Sequence, residues 1–97
     1  MFIISLTYKV PLATVDQHLK AHIIYLNAQY ELGNFQVSGR KVPRTGGIIL
    51  STLTDKEILM KEVAKDPFYI HEVADYEITE FVPSKTSEEF AFLKNGI

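Results

Sequence analysis

Residues 14–33 read TVDQHLKAHIIYLNAQYELG, and the spacing within them predicts one amphipathic helix. Val15, Leu19, Ile23, Leu26 and Tyr30 recur every three or four residues, which lines one face of a 3.6-residue period with apolar side chains. Thr14 and Gln17 are spaced as a capping box, and Asp16 in the first turn suits the positive end of the helix dipole. Gly33 supplies a residue able to take the left-handed C′ conformation, so Leu32 is expected to be about the last helical residue. His22 falls at the edge of the apolar stripe, between Leu19 and Leu26, whereas His18 falls outside it. A histidine on the rim of a buried face is either a packed core residue or a working group.

Strand patterns flank this helix. Phe2, Ile4, Leu6 and Tyr8 alternate with Ile3, Ser5 and Thr7, a period of two that predicts a strand ended by Pro11. Residues 35–39 form a second short strand, with Phe35 and Val37 expected on one face. Residues 39–47, GRKVPRTGG, read as a basic, glycine-rich loop, and 47–52 as a third strand. Its unbroken Ile48-Ile49-Leu50 run predicts burial on both faces, as in a central strand. A second helix follows from the capping box at Thr54 and Glu57 to about Lys65, with Leu59 and Val63 inward and Ile58 beside them. Asp66-Pro67 stops it, because the residue before proline is pushed out of the helical region. Residues 68–73 read as a linker. Ala74, Tyr76 and Ile78 then alternate with polar residues in a fourth strand reaching about Val82. In the tail, Ser87 to Phe90 has the look of a capped turn, with Phe90 and Leu93 available for docking.

Strand, helix, strand, strand, helix, strand with right-handed crossovers gives an α+β fold, the ferredoxin-like βαββαβ sandwich. Four antiparallel strands carry both helices on one face. The opposite face also carries apolar residues, and a two-fold dimer closing sheet on sheet into an α/β barrel would cover it. Residues 1–97 are expected to form one domain, with its core in 1–82 and a C-terminal extension over 83–97.

Composition narrows the function classes. At 97 residues and 46% apolar content the chain is globular and small enough to gain stability from dimerisation. The absence of cysteine excludes disulfides, thiolate metal sites and a thiol nucleophile, and fits a reducing, cytoplasmic compartment. A net charge of -2 without basic clusters argues against nucleic acid as a partner. The third strand also lacks the aromatic platform on which RNA-binding sheets stack bases. No signal peptide is expected at the N-terminus, and no run approaches the ~20 apolar residues of a membrane span.

The predicted topology brings two distant residues together. The helices run antiparallel, so Asp66 at the end of the second lies beside His22 in the N-terminal half of the first. A carboxylate accepting from one imidazole nitrogen fixes the tautomer and turns the other nitrogen towards a ligand, where it can act as a general base. Arg40, Lys41 and Arg44 are placed to bind a carboxylate or phenolate at a pocket mouth, or else form a solvated loop. Tyr8 and Tyr25 are candidates for the pocket wall or for packing. Gly46-Gly47 is not a phosphate loop, since no helix with Lys-Ser/Thr follows. His18 and His22 are four apart on one helix, but the glutamate and third ligand of a zinc motif are missing, so neither a metal nor another cofactor is expected.

The order of short motifs resembles the YciI-like (YCII-related domain) family of small dimeric α/β-barrel proteins. The matching features are His22 followed by IIYL, Gly33, Ser38-Gly39, Gly46-Gly47 and Asp66-Pro67-Phe68, spread over residues 1 to about 82. The resemblance implies that His22 and Asp66 form a catalytic pair. It further implies lyase or isomerase chemistry: some relatives are lyases on chlorinated hydroxylated aromatics, and muconolactone isomerases share the barrel form. One position departs from the family. Arg40 follows Gly39 where a proline is usual, replacing a rigid turn with a cation.

Two functions of different class follow. One is an enzyme moving protons on a small anionic or aromatic molecule, with His22 as base or acid, Asp66 orienting it, and Arg40, Arg44 and Tyr8 binding substrate. The other is a non-catalytic metabolite-binding or interaction module using the same cavity. No serine or cysteine nucleophile motif is visible, which favours proton transfer over covalent catalysis.

Overall fold

The computed structural model describes residues 1–94. Strand β1 (Phe2–Tyr8), helix α1 (Leu12–Glu31), strands β2 (Phe35–Arg40) and β3 (Gly46–Ser51), helix α2 (Lys56–Val63), a single helical turn α3 (Pro67–Ile70) and strand β4 (Ala74–Glu80) follow in order. A 3₁₀ segment, Glu88–Leu93, comes last. One antiparallel sheet has the order β2-β3-β1-β4, the ferredoxin-like α+β arrangement expected from the sequence. The C-terminal extension is described only as far as Lys94.

Register fixes the two faces of the sheet. Phe2, Ile4 and Leu6 pair with Ser51, Ile49 and Gly47 on one side, and with Glu80, Ile78 and Tyr76 on the other. These β1 residues join Val15 and Tyr25 of α1, Leu59 and Val63 of α2, and Phe68 of α3 in one buried core. Each fully buried Phe, Leu or Ile contributes roughly 1.5–3 kcal/mol relative to exposure. Ile3, Ile48, Leu50 and Val37 lie on the opposite face, where Val37 and Ile48 remain exposed. β3 is central, as its Ile-Ile-Leu run suggests, but within one chain it is covered on one face only. Gly46 is required where β3 meets β1, because a Cβ there would stand 1.8 Å from the Leu6 carbonyl oxygen.

Helix α1 begins two residues before the expected capping box, with Pro11 as N-cap. The Pro11 carbonyl accepts from the N–H groups of Thr14 and Val15, so Thr14 is already inside the first turn and its side chain has no cap to make. Proline suits this position, since its fixed φ is compatible and no intrahelical donor is lost. At the other end Gly33 has φ 77°, its N–H bonds the Tyr30 carbonyl, and Asn34 N–H reaches the Gln29 carbonyl. That is the expected glycine stop, completed as a Schellman motif.

The buried face of α1 is rotated from the stripe read in the sequence. Val15, His22, Tyr25 and Gln29 are buried, whereas Ile23 and Tyr30 are exposed. His22 is therefore central on the inward face and not on its rim. Polar partners on the segment from α2 to α3 make this possible: Asp66 meets His22, and Glu62 meets both Tyr25 and Gln29. Buried polar groups are tolerated when they are paired in this way.

Smaller departures have local causes. A β-bulge between Phe35 and Val37 sends them to opposite faces, Phe35 into the core and Val37 out. Asp55, one residue after Thr54, caps α2 by accepting from the N–H groups of Glu57 and Ile58. Ile58 is exposed. Residues 67–70 are helical where a linker was expected, because Asp66 caps the turn and Pro67 occupies N1, the helical position that tolerates proline best. β4 stops at Glu80, although Phe81 N–H still bonds the Met1 carbonyl. Ser87 makes no side-chain cap, Phe90 is half exposed and Leu93 is half-buried.

Candidate active site

Helix α1 and the turn α3 meet at His22 and Asp66. Because Asp66 caps α3, its carboxylate is anchored before any other partner is considered: Oδ1 accepts from the Phe68 N–H at 2.9 Å. His22 Nδ1 lies 2.7 Å from the same Oδ1, and the Tyr76 hydroxyl donates to Oδ2 at 2.6 Å. Asp66 is 1% exposed and His22 9%. The backbone amide can only donate, and the network is consistent when Nδ1 donates as well. Nδ1 is therefore assigned as a proton-bearing nitrogen that donates to Asp66.

The second ring nitrogen is open. Among the described residues Nε2 has no hydrogen-bond partner and every buried side-chain nitrogen or oxygen has one, so Nε2 lies at accessible surface. His22 lines a cavity of about 190 Å³ between α1 and the β1–β3 side of the sheet. Leu6, Leu19, Leu26, Ile49 and Phe68 make its wall largely apolar, with Tyr8, Ser38 and Arg40 among its polar members. Phe68 stacks flat on the His22 ring, centroids 4.0 Å apart and planes within 3°. One imidazole nitrogen is thus tied to a buried carboxylate, the ring is stacked on Phe68, the other nitrogen is accessible, and the residue lines an apolar chamber.

Two tyrosines surround the pair. Tyr25 donates to the Glu62 carbonyl at 2.8 Å, and its ring is 6.3 Å from that of His22. Burial, reinforced by the charges of Asp66 and Glu62, pushes the Tyr25 phenol well above its usual pKa. Tyr76 moves the same way, through burial first and then the Asp66 charge, so both hydroxyls remain donors. Glu62 is lowered, chiefly because Gln29 donates to its carboxylate.

The remaining residues singled out in the sequence divide. Tyr8 and Arg40 line the cavity beside His22, Arg40 from an exposed position at its mouth. Arg44 is not on the lining, and its guanidinium is paired with Asp16 on α1. Lys41 donates to Thr7 on the outer face. His18 is half-buried and stacked on His71, ring centroids 4.3 Å apart. Among the described residues no three His, Cys, Asp or Glu side chains converge as a metal site, and no helix is long and apolar enough to cross a membrane. Reading the sequence missed Tyr76 and the stacking role of Phe68. Tyr76 shares the inward phase of Ala74 and Ile78, and a phenol at such a position needs a buried acceptor.

Comparison with protein families places the YCII-related domain over residues 1–82. The chain belongs to that family. As a YCII-related domain it is also similar in structure to the 5-chloro-2-hydroxyhydroquinone dehydrochlorinase TftG of Burkholderia phenoliruptrix, solved in complex with 2,5-dihydroxybenzoquinone. The two share 17% sequence identity over 86% of this chain and 95% of the other, with a TM-score of 0.70. At that identity the likeness establishes the fold of the YCII-related domain and leaves its chemistry to the residues present. Comparison with curated protein sequences found no match.

Proposed function

We propose that this YCII-related domain is a small-molecule enzyme of lyase or isomerase type, in which His22 Nε2 moves a proton and Asp66 orients the ring. The observation that carries the reading is the buried His22–Asp66 hydrogen bond at 2.7 Å, on a histidine that lines the cavity and whose Nε2 is accessible and unpartnered among the described residues. Taking a proton at Nε2 would make the ring cationic, and the adjacent carboxylate would stabilise that state without itself touching substrate. The apolar wall favours a small planar or aromatic molecule. Arg40 at the mouth supplies a cation for a carboxylate or phenolate, with Tyr8 beside it. Arg44 would join them only after leaving Asp16.

The same reading includes a homodimer in a cytoplasmic setting. A shallow apolar groove on the outer sheet face is lined by Ile3, Val37, Ile48 and Leu50, and shares Ser38, Gly39, Arg40 and Ile48 with the cavity. A second copy on that face would bury exposed Val37 and Ile48 and close the cavity mouth.

The test is product formation from a panel of chlorinated hydroquinones and unsaturated lactones, including 5-chloro-2-hydroxyhydroquinone, by wild type and His22→Ala. Turnover by the wild type that falls at least about 100-fold in His22→Ala supports the reading. Equal turnover by the two proteins overturns it.

A further inference from the structure

We infer that Tyr76 is a positioning residue for this site: its hydroxyl holds the second oxygen of Asp66 and so fixes the plane of the carboxylate that meets His22. The inference rests on the proposed site but extends to a residue on a separate element. Asp66 Oδ1 already meets two groups, the Phe68 N–H and His22 Nδ1. Nothing on α1 or α3 holds the second oxygen; the 2.6 Å bond from Tyr76 does. Turning the carboxylate about its Cβ–Cγ bond moves both oxygens, so a donor at Oδ2 adds to the resistance that the two bonds at Oδ1 provide and narrows the range of carboxylate planes His22 can meet.

Strand register places this donor. Tyr76 pairs with Leu6, which points its side chain to the helix-covered face, and its ring packs edge-on against Tyr69 at 5.4 Å. The sheet, the turn α3 and helix α1 are thus joined through one carboxylate by Tyr76, Phe68 and His22. Other titratable groups near Tyr76 are Tyr25 of α1 and Tyr69 of α3, with Glu62 of α2 beyond Tyr25. Tyr25 donates to the Glu62 carbonyl and not to Asp66. Removing its hydroxyl is therefore a matched control, deleting one tyrosine hydrogen bond while leaving the carboxylate untouched.

The test is nitrogen-15 and proton NMR of the histidine side chains in wild type, Tyr76→Phe and Tyr25→Phe, alongside thermal melts. In wild type we expect one Nδ1–H tautomer for His22 with a slowly exchanging ring proton. Tyr76→Phe should lose that slow exchange and show averaged ring nitrogens, while Tyr25→Phe keeps the wild-type signature at a similar loss of Tm. Should Tyr76→Phe fail to fold, fluorotyrosines of increasing acidity at position 76 replace it, and the His22 ring signals should shift in step with phenol acidity. A His22 signature that is the same in Tyr76→Phe as in Tyr25→Phe, or insensitive to the fluorotyrosine series, overturns the inference. The readout is independent of turnover: a shifted signature without His22-dependent chemistry would sink the acid–base reading alone, and the converse would sink the positioning role alone.

Discussion

Phe68 acts on His22 in two ways, once by contact and once through Asp66. Its ring lies parallel to the imidazole at 4.0 Å, and its backbone N–H donates to the Asp66 oxygen that His22 Nδ1 also contacts. The side chain therefore sets the plane of the imidazole while the main chain of the same residue sets its partner. Phe68→Leu keeps an apolar side chain and the amide but removes the flat surface. We expect a stability loss of roughly 1–2 kcal/mol in urea melts, with a larger proportional loss of proton-transfer rate.

Asp66 combines two jobs that substitution can separate. Asp66→Ala removes the α3 cap and strands the Tyr76 hydroxyl and the Phe68 amide in a buried place, for a cost of roughly 3 kcal/mol or more. Asp66→Asn keeps an oxygen for the cap and should cost less in denaturant melts. Its amide cannot support a cationic ring, so activity should still fall at least about tenfold. Equal activity in Asp66→Asn and wild type would remove Asp66 from the chemistry.

Alkaline pH should loosen the same region. Burial and the Asp66 charge raise the Tyr76 phenol above its ordinary value of 10.0, so the folded state holds this proton more tightly than the unfolded chain does. The resulting stability is complete below about pH 10 and is lost as pH rises beyond it, by up to ~1.4 kcal/mol per pH unit. Tyr25 acts in the same direction. Tyrosinate absorbance should therefore appear in two stages, with Tyr25 and Tyr76 ionising only as the fold opens. Tyr76→Phe should flatten the alkaline loss of Tm.

Most of the fold is legible from local patterns. Alternation in β1, Gly33 after α1 and Asp66-Pro67 after α2 each set a boundary through backbone chemistry confined to a few residues. What could not be read is the rotation of α1. Ile23 looks as apolar as Leu19, and only the partners brought by α2 and α3 make His22 and Gln29 the better residues to bury. The bulge at Val37 is equally hidden, since alternation presumes an unbroken ladder. Within the site, antiparallel helices suffice to suggest His22 beside Asp66, whereas Tyr76 arrives from a strand ten residues further on and depends on sheet register. Arg44 looks free in the sequence because Asp16 is 28 residues away.

The outer sheet face gives a test that leaves the core intact. Ile48→Lys places a charge on an exposed position opposite Ser5. The unfolding free energy of one chain should change by no more than about 0.5 kcal/mol. If a second copy covers this face, light scattering should show a dimer for wild type and a monomer for Ile48→Lys. A wild type that is monomeric at all concentrations would contradict the homodimer.

The central claim is that His22 Nε2 exchanges protons with a molecule in the cavity, and hydrogen exchange tests it most directly. Proton NMR in heavy water, with 2,5-dihydroxybenzoquinone and related hydroxylated aromatics as probes, follows deuterium entering the ring carbons with wild type, His22→Gln or no protein. We expect exchange accelerated at least about 100-fold by wild type and lost in His22→Gln, while probe binding measured by the shift in Tm persists in both. Bound probe with no acceleration by wild type, or equal acceleration by His22→Gln, would contradict it.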